Sequence, residues 1–472
     1  MRETGLLFFI CLRVLRFILE QRPNLLQMKN YHFIAIGGAV MHNLALELLA
    51  HGNHVTGSDD EIFDPAKSRL EEAGIMPQEL GWFPEKINAS IDAVILGMHA
   101  RAENPELLKA QEMGLKVYSF PEFIFEHSKD KTRVVIGGSH GKTTSTAMLM
   151  HVLNFHNKEF DYLVGSQLPG FQRMVRLSDA PLIVIEGDEY LTSALHPVPK
   201  FHVYKPHLSM ITGVAWDHIN VFPTYDNYVD QFRIFEKTMI PGGTLFWFEG
   251  DADLKQLATE FTCANHSYTQ PEYEQHELGA VVRVEGKEYP MRFFGKHNLQ
   301  NASGVAGIAK ELGIDADAFW TAMQTFTGTA KRLEKVHQSD QLTVFRDFAH
   351  APSKVKATVL AVKEQYPNHQ FIAVFELHTF SSLRTDFLPG YRGALSPADH
   401  AFVLFDPHVF ELKKMPIPEV GFIQNTITDC VEFSDPQALK HAVTQHLDGK
   451  KTVLLLMSSG NLGGLTPQEF IQ

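Results

Sequence analysis

At 472 residues the chain exceeds what one ordinary hydrophobic core organises and calls for about three domains of roughly 150 residues each. Hydrophobic residues at 44% with 21% charged are the composition of folded globular protein and exclude general disorder. Forty-two basic against 55 acidic residues give a net charge of −13, which excludes nucleic acid as a main partner and requires local donors for any anionic ligand.

Residues 6–20, LLFFICLRVLRFILE, are apolar but broken by Arg13 and Arg16, so the uninterrupted stretch is too short to span a bilayer and no stable membrane insertion is expected. No small-residue cleavage site follows, and Met28 stands directly before the first recognisable strand. Residues 1–28 are therefore set apart as an extension, either disordered or a consequence of the start site chosen. Cys11, Cys263 and Cys430 are widely separated and form no CxxC or Cys/His metal spacing, which fits a reduced, cytoplasmic setting.

From there, short apolar runs alternate with helical stretches, the pattern of βαβ units around parallel sheets. Strands are predicted at 33–36, 93–96, 134–136, 182–185, 210–212, 343–345, 371–375, 401–405 and 453–457. Breaks at 127–132 and 327–331 divide the α/β chain into domains at 29–127, 128–329 and 330–472.

The first of these opens with HFIAIGGAVMHN, a strand, a glycine turn and a helix, and a second strand ends in Ser58 and Asp59. Gly37 and Gly38 allow a diphosphate to approach the helix start, and Asp59 stands where an acid could meet a ribose. Val40, His42 and Asn43 replace glycines of the dinucleotide fingerprint, which argues against hydride transfer.

The strongest motif is VVIGGSHGKTTST, in which a strand enters Gly138-Ser139-His140-Gly141-Lys142-Thr143-Thr144 and then a helical run. Such a loop turns backbone N–H groups towards phosphate oxygens, Lys142 reaches the β- and γ-phosphates, and the Thr143 hydroxyl can ligate Mg2+. Ile136 stands at the first glycine position of the full P-loop pattern. Two strand ends offer further ligands, Glu186 in IEGDEY and His218 in WDH, if their strands flank the loop. Taken singly, His218 reads as a structural histidine and EGDE as a solvated loop.

Five motifs in order make residues 31–465 resemble the Mur ligase family: GGSHGKTT, IEGDEY, WDH, FGKHNLQNASG and the pair AKRLEKV with RDFAHAPSKV. The resemblance implies three domains: a Rossmann-like UDP-binding domain, a central P-loop ATPase domain and a Rossmann-like C-terminal domain. It also implies ATP and Mg2+ as cofactors, Lys142 and His218 in catalysis, and Thr143, Glu186 and His218 on the metal. His297, Asn298 and Asn301 would surround adenine, Arg332 would lie near phosphate and Asp347 near ribose, with His350 alongside. In the first domain it implies UDP-N-acetylmuramate as the ligand of Gly37, Gly38, Ser58 and Asp59. His99 and Asn104 would join them from the segment MHARAENPEL. Folylpolyglutamate synthetases share the later motifs but lack a domain before the P-loop.

IEGDEY, KFHVYKP and LLLMSSGNLGGL are most similar to the family's peptide-adding branch, the murein peptide ligases. That similarity implies L-alanyl-γ-D-glutamyl-meso-diaminopimelate as acceptor, with peptidoglycan recycling as the role. The L-alanine-adding branch of biosynthesis is the alternative. In FELHTFSSLR, Ser381-Ser382 stand where alanine-adding relatives carry a Thr-Arg pair, and Arg384 is the nominated carboxylate partner. Readings from other classes are a regulatory P-loop ATPase and a UDP-sugar-binding module without turnover.

Overall fold

The computed structural model describes residues 28–216, 221–276, 279–447 and 449–471, so the predicted ligand His218 lies outside the described residues. The chain divides between Phe120 and Pro121 into two compact units. The second unit contains both the seven-stranded sheet that carries the P-loop and a separate six-stranded C-terminal sheet. Among the described residues no helix is long and apolar enough to cross a membrane.

The first unit alternates β1 (Asn30–Ile34), α1 (Ala39–Ala50), β2 (His54–Ser58), α2 (Ala66–Glu72), β3 (Ala93–Leu96), α3 (Pro105–Glu112) and β4 (Val117–Ser119). Its sheet has the order β2-β1-β3-β4, and all pairings are parallel. The chain leaves β1 for one neighbour and reaches the other only later. The carboxyl ends of β1 and β3 therefore border a switch point, where open α/β sheets take ligands. Within the sheet, His32 Nε2 meets Glu106 Oε2 at 3.1 Å with both side chains fully buried, which ties β1 to α3.

The second unit opens with α4 (Phe120–Ser128), whose first residue ends the first unit, and is built on β5 (Thr132–Gly137), α5 (Lys142–Phe155), β6 (Asp161–Leu163), β7 (Val175–Arg176), β8 (Leu182–Glu186) and β9 (Leu208–Ile211). It continues through α6 (Tyr225–Lys237), β10 (Thr244–Phe248), α7 (Ala252–Ala258) and β11 (Ala264–Tyr268). These strands form a seven-stranded sheet in the order β11-β10-β9-β5-β8-β6-β7, parallel except for β7. The strand entering the P-loop thus lies between the strands that lead to Glu186 and to Thr212.

A three-stranded antiparallel sheet, β12 (Glu272–His276), β13 (Gly279–Val284) and β14 (Lys287–Met291), comes next. It is followed by α8 (Lys296–Glu311) and α9 (Ala316–Met323). The remaining chain forms β15 (Glu334–Gln338), β16 (Leu342–Asp347), α10 (Pro352–Gln365), β17 (Gln370–Leu377), β18 (His400–Phe405) and α11 (Pro407–Leu412). It closes with α12 (Phe422–Ile427), β19 (Val431–Phe433), α13 (Pro436–Gln445) and β20 (Thr452–Met457). The sheet order here is β15-β16-β20-β17-β18-β19, with β15 antiparallel.

The apolar runs of this last sheet are buried on both faces, as parallel strands covered by helices must be. Along β20, Val453, Leu455 and Met457 pack with Phe345, Phe371 and Phe375. Leu454 and Leu456 point the other way, to Val344, Ile372 and Val374. Each fully buried leucine or phenylalanine contributes about 1.5–3 kcal/mol. The sheet is consequently a rigid platform for the loops at its carboxyl end.

Candidate active site

The turn from β5 into α5 needs two residues outside ordinary side-chain conformations, and glycine supplies both: Gly138 has φ +121° and Gly141 φ +76°. A β-carbon on Gly141 would lie 2.6 Å from Asn301 Nδ2, so the close approach of α8 also requires glycine there. Ser139 is buried; its N–H donates to Gly213 O at 2.9 Å, and its Oγ accepts the Ala215 N–H and lies 2.7 Å from Tyr228 OH. His140 Nε2 lies 2.6 Å from Ser353 Oγ at the start of α10.

Lys142 opens α5 and donates to Gly138 O at 2.7 Å and to Glu189 Oε2 at 2.6 Å. Burial works against its charge, but Glu189, Asp188 and Glu186 outweigh that and hold its pKa above the ordinary lysine value. Thr143 Oγ1 donates to Glu186 Oε1 at 2.7 Å, while the other carboxylate oxygen accepts the Gly165 N–H. Arg332 Nη2 reaches Thr143 Oγ1 at 3.5 Å and its guanidinium stands 4.7 Å from the centre of the Phe348 ring.

These groups line a cavity of about 440 Å3 together with Thr144, His297, Asn298, Asn301, Asp347 and His350. Burial lowers the His297 pKa to about 4, so the imidazole is neutral at physiological pH. Asn298 Nδ2 donates to Phe294 O at 2.9 Å. Asp347 accepts the Leu333 N–H at 2.5 Å and the Ala349 N–H at 2.6 Å. Burial raises its pKa despite Arg332 and those donors. His350 Nδ1 lies 2.9 Å from Phe348 O.

The structure thus gathers onto one cavity residues that the sequence separates by some 200 positions. Glu189 was not singled out among the acids of EGDE. It is fully buried and faces Lys142 and the Tyr228 hydroxyl, the latter at 3.4 Å. Its place three residues after Glu186 was the available signal. Among the described residues no three His, Cys, Asp or Glu side chains converge on a metal position. Thr143 and Glu186 nevertheless offer the hard oxygen donors that Mg2+ takes, one or two from protein and the rest from phosphate and water.

In the first unit, Gly37 and Gly38 lie in the turn after β1, and the Gly37 N–H donates to Asp59 Oδ2 at 2.7 Å. Ser58 is buried at the end of β2. His99 is exposed in the turn after β3, and Asn104 caps α3 by accepting the Glu106 and Leu107 N–H groups at 3.0 and 3.1 Å. The Asn104 side chain therefore has a structural use regardless of any ligand.

Burial raises the Asp59 pKa from 3.8 to about 6, against the lowering effect of the Gly37 N–H. A raised folded pKa means that this group's stabilising contribution is complete below the unfolded value and is lost as pH rises through the folded one. The wild-type unfolding temperature should therefore fall relative to that of Asp59→Asn as pH rises from 3.8 through about 6. Thermal unfolding at several pH values measures the difference, and a pH-independent offset would contradict it.

Sequence profiles of known families match most of this framework. That of the Mur ligase family catalytic domain matches residues 30–132 and that of the Mur ligase middle domain residues 136–309. A UDP-N-acetylmuramate–L-alanine ligase of Lactiplantibacillus plantarum is 30% identical over 79% of this chain and 84% of its own. The UDP-N-acetylmuramate–alanine ligase of Thermotoga maritima has the same fold, with a TM-score of 0.71 at 21% identity over 94% of this chain and 98% of that one. The UDP-N-acetylmuramate:L-alanyl-gamma-D-glutamyl-meso-diaminopimelate ligase of Neisseria meningitides superposes with a TM-score of 0.57 at 25% identity over 63% of this chain and 98% of that one. The chain belongs to the Mur ligase family and is an ATP-dependent ligase that forms an amide C–N bond.

Proposed function

We infer that the protein joins the tripeptide L-alanyl-γ-D-glutamyl-meso-diaminopimelate to UDP-N-acetylmuramate in the cytoplasm, as a step of peptidoglycan recycling. A muramyl carboxylate oxygen attacks the γ-phosphorus of ATP and ADP departs. The peptide's amine nitrogen then attacks the acyl carbon and gives up a proton, and phosphate leaves with that oxygen. Charge accumulates on the transferred phosphoryl group, and Lys142, held in place and charged by Glu189, stabilises it there. Thr143 and Glu186 would hold Mg2+, which supplies charge neutralisation at the phosphates. Arg332 serves phosphate, while His297, Asn298, Asn301 and Asp347 serve the nucleoside. Gly37, Gly38 and Asp59 of the first unit take the UDP moiety.

The loop after β17 carries the choice of acceptor. Ser382, where alanine-adding relatives are expected to have arginine, is buried and accepts the His378 N–H at 3.0 Å, which makes it part of the loop's own framework. Support also comes from the Neisseria ligase, whose name specifies that tripeptide. Attachment of L-alanine is the second reading, favoured by the Lactiplantibacillus relative.

An acceptor panel with ATP and UDP-N-acetylmuramate, read by the mass of the UDP product, separates the two. A site built for the distal carboxylates leaves its donors unpaired when alanine binds, so the tripeptide should exceed L-alanine in kcat/KM by at least about a hundredfold. Better use of L-alanine would sink the tripeptide and leave the family assignment standing.

A further inference from the structure

The turn that leads into β15 lies in a seam between α5 and α8 on one side and β16 with the end of α10 on the other. Within the turn, Thr329 O accepts the Arg332 N–H at 3.1 Å. Lys331 and Leu333, on either side of Arg332, hold left-handed backbone at φ +55° and +47°. Residues other than glycine keep that conformation only where their surroundings impose it. Two hydrogen bonds already cross the seam from α10 to β12: Tyr273 OH donates to Glu364 Oε1 at 2.9 Å, and Gln365 Nε2 donates to the His276 carbonyl at 2.7 Å.

The seam encloses a cavity of about 60 Å3, which shares Thr144, Asn298, Arg332 and Leu333 as a wall with the ATP cavity. That space holds about four water molecules, or one tetrahedral oxyanion. Its lining includes Arg292, Arg332 and Lys335 and no carboxylate, in a chain whose acidic residues outnumber its basic ones by 55 to 42. Arg292 and Lys335 are exposed at its edge, and among the described residues neither makes an ion pair. Lys335 Nζ donates to Gln338 Oε1 at 2.8 Å, and desolvation lowers its pKa, so a nearby anion would favour its charged form. Inside, Thr329 Oγ1 and Gln365 Oε1 are buried polar atoms with no hydrogen-bond partner among the described residues, and Thr329 is only 3% exposed. The Gln365 amide is oriented by its bond to the His276 carbonyl, which leaves its oxygen for the cavity.

A buried donor and a buried acceptor left unpaired are costly, and a ligand that satisfies both recovers that cost. Two cations and a hydroxyl donor suit an oxyanion, while the amide oxygen requires a ligand that also carries a proton. Hydrogenphosphate offers both; sulfate at neutral pH offers only acceptors. We propose that this cavity is a second, non-catalytic ligand site that takes hydrogenphosphate, with Arg292 and Lys335 supplying charge, Thr329 Oγ1 donating to the anion and Gln365 Oε1 accepting its proton. Phosphate bound there ties α10 to α5 and α8 and braces the turn that delivers Arg332 to the ATP cavity. Since ligation with ATP releases phosphate, the site lets the chain respond to its own product away from the reacting atoms.

The test fills the ATP cavity first, with Mg2+ and a saturating ATP analogue that cannot be hydrolysed at its β,γ-bridge, and then titrates inorganic phosphate by calorimetry at constant ionic strength. Wild type should bind one phosphate per chain. In the double variant Arg292→Gln, Lys335→Gln its Kd should rise at least about tenfold, and in Thr329→Val at least about fivefold. Sulfate should bind wild type at least about tenfold more weakly, because it leaves Gln365 Oε1 unpaired, which separates a built site from general attraction to basic side chains. The double variant should keep its unfolding temperature, and its ligase kcat without added phosphate should stay within about twofold of wild type. No phosphate bound once the analogue occupies the ATP cavity, an unchanged Kd in the double variant, or sulfate bound as tightly as phosphate overturns the site.

Discussion

Replacing Lys142 with alanine should reduce ligation on the order of a thousandfold while UDP-N-acetylmuramate binding persists. The kinetic loss follows from removing the cation aimed at the transferred phosphoryl group; the UDP residues proposed above belong to the other unit. A second effect needs separating from the first. Glu189 is fully buried, and Lys142→Ala breaks the ion pair between Lys142 Nζ and Glu189 Oε2, which for a buried pair costs about 3–5 kcal/mol. The unfolding temperature should drop accordingly, and adding Glu189→Gln should recover part of it without restoring activity. Steady-state kinetics with calorimetric UDP-sugar binding check the pair of effects, and activity within a few-fold of wild type would remove this loop as the ATP site.

Glu186→Ala should raise the magnesium concentration required for half-maximal turnover by at least about tenfold. The side chain also accepts the Gly165 N–H at 2.7 Å, so part of any defect could be local packing. Glu186→Gln keeps an oxygen for that hydrogen bond but loses the charge. If the glutamine variant shifts the magnesium requirement as far as alanine does, the carboxylate charge is the cause. An unshifted magnesium titration in both variants would exclude Glu186 as a ligand.

All nine strands predicted from apolar runs are present: 93–96 is unchanged, six are extended by one to three residues, and those at 33–36 and 210–212 are shifted so that they end at Ile34 and Ile211; β8, for example, ends on Glu186 rather than Ile185. What escaped the sequence reading were mostly short or solvated strands, together with the buried strand β10, TLFWF. β12, EYEQH, is largely exposed and held mainly by its antiparallel register with β13, so it has no apolar run to announce it. β7 is two residues long.

The P-loop was legible because glycine, lysine and threonine at fixed offsets are dictated by phosphate geometry. Glu186 was legible because it ends a strand, and that strand pairs directly with β5. Glu189 was not, since its role arises from burial against Lys142. Arg384 illustrates the converse. Its residue type suits a carboxylate, but only the fold reveals that Asp386 already takes it.

The central claim is that one oxygen passes from the sugar acid to phosphate on the way to the amide. UDP-N-acetylmuramate carrying oxygen-18 in its muramyl carboxylate, turned over with ATP and the tripeptide, tests it most directly. The account predicts one labelled oxygen in the released phosphate for every ligated product. Unlabelled phosphate alongside product, or phosphate release that proceeds without the UDP-sugar, would contradict it.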